Sequence, residues 1–174
     1  ISMSIHSVLY DLMMKVTEPI EVIKHLNNHM HRIYDDKDEK KLISNYFTAI
    51  YLVIDTKNHT IEYVNAGHPP GILFHSDGTY SLLMSGCPPI GLLFELQINK
   101  GRVSYHPGAT LLLYSDGLTE LPDHREIDGI SFLTDIVEKL DIKEETLLDE
   151  IVKKRMETSK VVDDICLVSV QFLS

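Results

Sequence analysis

Two neighbouring stretches decide the fold: residues 46–55, YFTAIYLVID, and residues 60–65, TIEYVN. Both are rich in β-branched and aromatic residues, which favour strands. The first is almost continuously apolar and is expected to be buried on both faces. The second alternates in polarity like the second strand of a hairpin, and the turn Lys57-Asn58-His59 joins the two. The middle of the chain is therefore predicted to be a β-hairpin.

Further elements are predicted on both sides of this hairpin. Strands are expected at residues 71–75, 80–84, 102–105, 110–115 and 164–173, and a loop rich in Gly and Pro at residues 85–93. Helices are expected at residues 3–16, 19–33, 130–140 and 144–157, with a charged loop at residues 35–41. Because the strands are mostly joined by hairpins, we predict the α+β class, an antiparallel β-sandwich flanked by helices.

Apolar stripes define two of these helices. Thr17 is the expected N-cap of the second helix, with Pro19 in its first turn. The stripe of that helix is expected to consist of Ile20, Ile23, Leu26, Met30 and Ile33. The stripe of the last helix is expected to consist of Leu147, Leu148, Ile151, Val152 and Met156. Both stripes predict faces that are buried against a sheet.

Length, composition and charge limit the functions that are open to the chain. Its 174 residues suit one domain, and 44% hydrophobic content is typical of a globular protein. A net charge of −10 without a basic stripe argues against a nucleic-acid partner. The longest strongly apolar run, residues 49–54, is too short to span a membrane. Two cysteines, Cys87 and Cys166, suggest a reducing compartment, and we expect a cytoplasmic protein.

Several catalytic classes are excluded by spacing. A cysteine phosphatase needs an arginine six positions after its cysteine, whereas Leu93 and Phe172 follow Cys87 and Cys166 at that distance. The chain has no phosphate-binding G-x-x-x-x-G-K-[ST] loop and no G-x-S-x-G nucleophile motif. His25 and His29 are four residues apart on a predicted helix, but without a third ligand they are interpreted as a surface pair.

Two acidic spots are compatible with metal binding. Asp116 follows an apolar strand in LLLYSDGLTE, residues 111–120, where a hard cation could reach its carboxylate at the rim of a sheet. Asp163 and Asp164 adjoin one another before the last strand, and their repulsion favours a nearby cation. Taken singly, each spot has a plain alternative: Asp116-Gly117 as a turn, and the Asp163-Asp164 pair as one solvated residue and one loop cap.

Four motifs in order carry a family resemblance over nearly the whole chain. They are YVNAGHPPG at residues 63–71, PPIGLL at 88–93, LLLYSDGLTE at 111–120 and VDDICLVSV at 162–170. Together they resemble the metal-dependent serine/threonine protein phosphatases of the PPM type. More narrowly, they resemble the bacterial SpoIIE-like branch, which includes the RsbU- and RsbP-like phosphatases that control stress sigma factors.

The resemblance implies a function and a site. Two Mn²⁺ or Mg²⁺ ions would sit between two antiparallel sheets, and a water bridging them would attack the phosphorus, so that no protein nucleophile is needed. Asp116 and Asp163 match metal ligands of the family. Residues expected to support the site around them are Asp164, Gly117, Asn65 and Gly67, while His68 is left as a structural residue. The implied substrate is a phosphorylated anti-anti-sigma factor of the STAS fold.

One family motif has no match. The first metal motif, Gly-Asp-Val-x-Gly-His-Gly, should directly precede the helix at residues 3–16. We therefore expect residues 1–174 to be a single SpoIIE-like domain without its first strands and first metal motif, inactive alone. The helices at 3–16 and 19–33 are expected to respond to an upstream sensory domain or activator. Two alternatives stay open: a catalytically inactive, partner-binding regulatory module, and an acidic α+β domain without catalytic function.

Overall fold

The computed structural model describes residues 17–33, 46–122, 127–139 and 146–173. The described helices are α1 (Pro19–Ile33), α2 (Gly129–Val137) and α3 (Leu147–Thr158). The strands are β1 (Ala49–Asp55), β2 (Thr60–Ala66), β3 (Gly71–Phe74), β4 (Tyr80–Leu83), β5 (Gly86–Cys87), β6 (Gly101–Ser104), β7 (Thr110–Tyr114) and β8 (Leu167–Gln171). The predicted helix at residues 3–16 and the charged loop at residues 35–41 lie outside the described residues.

The chain divides into two compact units. The first comprises Ile1–His68 and Leu83–Ser104, and the second comprises Pro69–Leu82 and Tyr105–Ser174. The expectation of a single domain over residues 1–174 stays a prediction. Each unit is described by itself below.

The sheet of the first unit is built on the predicted hairpin. Strands β1 and β2 pair antiparallel along their whole length, from Ala49 opposite Ala66 to Asp55 opposite Thr60. On its other edge β2 pairs antiparallel with β6 and, near its end, parallel with the short strand β5. The predicted loop at residues 85–93 thus contains a strand, and one pairing in a mainly antiparallel sheet is parallel.

Burial in this hairpin differs from the prediction. Strand β1 is half-buried at every position, so burial on both faces is wrong for it. Strand β2 is buried at every position except the half-buried Glu62, so the predicted alternation is not seen. The reason is position in the sheet: among the described strands β1 lies at an edge, whereas β2 has neighbouring strands on both sides.

Helix α1 packs on this sheet and has the predicted bounds. Its buried apolar residues join the sheet and the following loop in one core, whose buried members are Val22, Ile23, Leu26, Met30, Val64, Ala66 and Ile90. Two details of the prediction are wrong. Ile33 is 45% exposed because it is the last helical residue. The cap is Glu18, not Thr17, since Pro19 opens the helix and the Glu18 carboxylate accepts a hydrogen bond from the Glu21 N–H at 3.0 Å.

The second unit has a sheet of order β4-β3-β7-β8. Strand β7 pairs antiparallel with both β3 and β8, and is therefore central. Helices α2 and α3 bury their apolar residues in the same core as this sheet, which consists of Ile72, Phe74, Leu112, Tyr114, Leu118, Leu133, Ile136, Val137, Leu147 and Ile151. The α+β class, with helices against mainly antiparallel sheets, is confirmed.

The predicted stripe of α3 is wrong in one position. Leu147 and Ile151 are buried, but Met156 is 63% exposed. Arg155 takes the expected place of Met156 and is 0% exposed. Positions 147, 151 and 155 are successive i, i+4 neighbours and share one face of the helix, which excludes position 156 from that face.

None of the helices in the described residues is long and apolar enough to cross a membrane.

Candidate metal centre

Asp116 lies directly beyond the central strand β7. A 3₁₀ turn, Asp116–Leu118, begins there, and the Asp116 carbonyl accepts hydrogen bonds from the backbone N–H groups of Thr119 at 2.8 Å and Glu120 at 2.9 Å. The Thr119 hydroxyl donates to the same carbonyl at 3.0 Å. The Asp116 backbone is thereby fixed, while its side chain is exposed at the end of the strand.

The segment that carries Asp163 and Asp164 runs beside this turn. Ser115 N–H donates to the Cys166 carbonyl at 2.9 Å, and Cys166 N–H donates to the Ser115 hydroxyl oxygen at 2.8 Å. The Ser115 hydroxyl in turn donates to the Asp164 carbonyl at 3.1 Å. These bonds continue the β7–β8 pairing beyond Tyr114 and Leu167. The two acidic spots of the sequence are therefore brought together by Ser115.

Gly117 allows this close approach. A Cβ atom built on Gly117 would lie 2.3 Å from the Asp164 carbonyl oxygen and 3.1 Å from that of Asp163. The obstacle is backbone, which has little freedom to move aside, so any side chain would force the two segments apart. The glycine of the Asp-Gly pair is thus required by contact with the Asp163-Asp164 segment.

The carboxylates of Asp116, Asp163 and Asp164 are the type of ligand that binds a hard divalent cation. Asp116, Asp163 and Asp164 are exposed, and none of them forms an ion pair within the part of the chain that the structure describes. Each of the first two accepts one hydrogen bond from the backbone N–H of the next residue, at 3.1 Å for Asp116 and 2.8 Å for Asp163. The remaining oxygen sites are of the type that Mg²⁺ and Mn²⁺ prefer.

The described residues do not supply enough ligands for a complete metal site. Across residues 17–33, 46–122, 127–139 and 146–173, no group of three or more His, Cys, Asp or Glu side chains could hold a metal ion. This includes the helical pair, in which His25 is exposed and bonds through Nδ1 to the Glu21 carbonyl. The described residues therefore supply two neighbouring carboxylate segments and would need further ligands to complete a centre.

Asn65 and Gly67 build a turn at the end of β2 in the first unit. The Asn65 amide accepts a hydrogen bond from the His68 N–H at 2.7 Å and donates to the carbonyls of His68 at 2.8 Å and Leu83 at 3.3 Å. Gly67 has φ of +68°, and a Cβ there would lie 2.6 Å from Pro89 Cγ. Both residues thus have a structural task in this turn, and their support of a metal site stays a prediction.

Arg155 is the residue that sequence reasoning missed. Its buried guanidinium donates hydrogen bonds to the carbonyls of Leu118 and Glu120, directly after Asp116. The available signal was its i, i+4 spacing from Ile151, but an arginine at such a position is usually at the surface. Only the tertiary structure shows that Arg155 is buried and not at the surface.

Comparison with known proteins places the chain in a family. The model of the SpoIIE family, described as Stage II sporulation protein E, matches residues 1–173. The chain belongs to the SpoIIE family. This SpoIIE-family chain is 38% identical to the phosphoserine phosphatase RsbP of Bacillus subtilis over 120 residues. The match covers 69% of this chain and 29% of RsbP.

Solved structures share the fold. The SiaA-PP2C domain of Pseudomonas aeruginosa matches with a TM-score of 0.77 at 14% identity, over 98% of this chain and 68% of that one. The PP2C phosphatase domain of SpoIIE from B. subtilis, solved with a fragment of its regulatory domain, matches with a TM-score of 0.77 at 20% identity, over 98% and 48% of the two chains. The predicted PPM-type fold and SpoIIE-like branch are confirmed. These relatives are protein phosphatases.

Proposed function

We propose that this SpoIIE-family chain hydrolyses phosphoserine or phosphothreonine on a regulatory protein with the help of Mn²⁺ or Mg²⁺. One observation carries the proposal: Asp116 and Asp163 lie exposed on two segments that Ser115 joins at the end of the central strand. The phosphoserine phosphatase name of RsbP supports the reaction.

Asp116 and Asp163 would hold the metal. Among structures of the same fold, the catalytic domain of the phosphatase PstP is in complex with two manganese ions and RsbX is in complex with magnesium. Such ions, when bound, supply electrostatic stabilisation of the phosphoryl oxygens and lower the pKa of a bound water. The chain's own contribution is to bring the two segments that carry these aspartates into contact and to leave both side chains exposed.

The surrounding residues would keep that placement. Gly117 and the Asp164 carbonyl set the distance between the two segments, and the Ser115 hydroxyl bonds the second segment at the Asp164 carbonyl and the Cys166 N–H.

The proposed substrate is a phosphorylated STAS-type anti-anti-sigma factor in the cytoplasm. Support comes from RsbP and from the RsbU and RsbW domains of a Mycobacterium tuberculosis protein, whose structure matches this chain with a TM-score of 0.74 at 19% identity. Because the chain spans only 29% of RsbP, control by a sensory domain or activator elsewhere in the protein is part of the proposal.

The test compares single carboxylate-to-amide variants of the full-length protein. Asp116→Asn and Asp163→Asn should each lower Mn²⁺-dependent hydrolysis of a phosphoserine peptide by more than about 100-fold, because an amide lacks the charge that offsets desolvation of the cation. Both should also abolish the rise in Tm that Mn²⁺ produces. Asp135→Asn is the matched control, since Asp135 is an exposed aspartate of α2, and it should change neither measurement.

Two outcomes would contradict the proposal. A Tm shift by Mn²⁺ that persists in both Asn variants would remove Asp116 and Asp163 from the site. A wild-type protein that binds a phosphorylated STAS protein in the presence of Mn²⁺ but never hydrolyses it would instead be the inactive regulatory module.

A further inference from the structure

Arg155 is a buried cation on helix α3. Its side chain is 0% exposed, and its Nε donates to the Leu118 carbonyl at 2.6 Å and its Nη2 to the Glu120 carbonyl at 2.5 Å. Its Nη1 donates to both the carbonyl and the hydroxyl oxygen of Ser159 at 3.1 Å. All four acceptors are neutral oxygen atoms.

This arrangement is unusual for a buried charge. Arginine is almost never fully buried unless it is paired, and no carboxylate in the described residues forms an ion pair with Arg155. Removing a guanidinium from water is unfavourable when its partners are neutral carbonyl and hydroxyl oxygens, as they are among the described residues. A residue kept under those conditions is expected to contribute something that an apolar side chain of similar size would not.

The acceptors show what that contribution is. Leu118 and Glu120 belong to the turn whose hydrogen bonds end on the Asp116 carbonyl. Ser159 is the C-cap of α3, and the segment with Asp163 starts from there. One rigid, planar group therefore bonds the backbone just after one proposed ligand and the backbone just before the other.

We propose that Arg155 is a positioning residue, which holds the Asp116 turn against the end of α3 and so sets the placement of Asp116 relative to Asp163 for metal binding. This inference rests on the proposed function. It assigns Arg155 no contact with substrate or metal. A lysine would not replace it, because a single ammonium nitrogen cannot span three carbonyls as the guanidinium fork does.

The test measures metal affinity separately from stability. In the full-length protein, Arg155→Met keeps an unbranched stem and removes the donors, and Arg155→Lys keeps the charge but not the fork. Lys153→Met is the matched control, since it removes an exposed cation from the same helix. For each variant we would measure the Mn²⁺ concentration at half-maximal hydrolysis of p-nitrophenyl phosphate, the Tm without metal, the Tm shift by Mn²⁺, and the KM at saturating Mn²⁺.

The expected result is a selective loss of metal affinity. Arg155→Met should raise the half-saturating Mn²⁺ concentration by about tenfold or more, the size typical of residues that orient metal ligands. Arg155→Lys should give an intermediate increase of about threefold, and Lys153→Met should give none. The KM for p-nitrophenyl phosphate at saturating Mn²⁺ should stay within roughly twofold, because Arg155 is not assigned to the substrate.

A purely structural role gives a different pattern. If Arg155→Met lowers the metal-free Tm but leaves the Mn²⁺ half-saturation and Tm shift as in the wild type, the proposal is overturned while the proposed function stands. If Arg155→Met does not fold, an unchanged Mn²⁺ half-saturation in Arg155→Lys overturns it equally. A wild-type protein that shows neither a Tm shift nor hydrolysis with Mn²⁺ contradicts the proposed function and, with it, this role of Arg155.

Discussion

Each unit of the protein fixes a loop to a helix through one buried polar side chain, but the two side chains differ in charge. In the first unit Asn27 of α1, 3% exposed, donates to the carbonyls of Leu93 and Phe94 at 3.0 and 3.1 Å and accepts from the Gly91 N–H at 2.8 Å. In the second unit Arg155 of α3 bonds the turn after Asp116. The neutral amide uses donors and acceptor alike, whereas the guanidinium can only donate.

The difference in charge indicates different roles for Asn27 and Arg155, one in the stability of a loop and one in the geometry of the acidic turn. Loss of the Asn27 amide removes the partner of the Gly91 N–H and of the Phe94 carbonyl, while the Leu93 carbonyl keeps its hydrogen bond to His31 Nε2 at 2.9 Å. No favourable change compensates for the two groups that lose their partner. Loss of the Arg155 guanidinium also leaves carbonyls unpaired, but it removes a buried charge, so part of the loss is offset. We infer that Asn27 serves mainly to stabilise its loop, and that the retention of a charge at position 155 reflects the geometry of the acidic turn.

The largest effect on stability is expected where the acidic turn is tightest. Gly117→Ala places a Cβ 2.3 Å from the Asp164 carbonyl oxygen and should lower the free energy of unfolding by about 3 kcal/mol. Urea denaturation followed by circular dichroism would measure it. Gly78→Ala is the control: nothing lies within 4 Å of its Cβ and only its φ of +86° opposes alanine, so about 1 kcal/mol is expected. Equal losses would show that the two acidic segments are not held in contact.

The amide anchor should give the next largest effect. Asn27→Ala is expected to lower the free energy of unfolding by about 2 kcal/mol, because one buried hydrogen bond to Gly91 and two half-buried ones to Leu93 and Phe94 are lost. The exposed neighbour Asn28 provides the control, and Asn28→Ala should have little effect. By the same urea measurement, Arg155→Met should lose less than Asn27→Ala. A larger loss for Arg155→Met would break the contrast drawn between the two anchors.

The burial of Tyr114, which precedes the acidic turn, can be tested by the pH dependence of the free energy of unfolding. Burial, with a smaller contribution from the Asp128 carboxylate, raises the pKa of Tyr114 to about 12. Since the unfolded chain releases this proton near pH 10, the stabilisation is complete below pH 10 and is lost as the pH rises toward 12. Tyr114→Phe should therefore reduce the loss of stability between pH 10 and 11, measured by urea unfolding. Tyr80→Phe, at an exposed tyrosine, should not reduce it.

The smallest effect is expected at the exposed neighbour of Arg155. Met156→Gln should change the free energy of unfolding by no more than about 0.5 kcal/mol, because the side chain is 63% exposed. Thermal or urea unfolding of this single variant is sufficient. A loss above about 2 kcal/mol would mean that Met156 belongs to the core, as its apolar character first suggested.

Much of the fold was predictable because local patterns and tertiary contacts agree. The β1–β2 hairpin and helix α1 follow from β-branched runs and an apolar stripe, and both are present. Prediction was wrong where burial depends on the neighbours of an element: an apolar run in β1 lies at an edge, and an alternating run in β2 lies at the centre. The candidate ligands Asp116 and Asp163 came from motifs, whereas their approach through Ser115 required the structure.

The class of fold, the family and the two acidic spots could be read from the amino-acid sequence, since each depends on residues close together in the chain or on motifs in a set order. Tertiary structure alone decided that Gly117 meets the backbone of Asp164 and that Arg155 bonds Leu118 and Glu120. These contacts join residues more than 30 positions apart. No local periodicity encodes them, because a buried arginine and an exposed one have the same helical spacing until the surrounding core is formed.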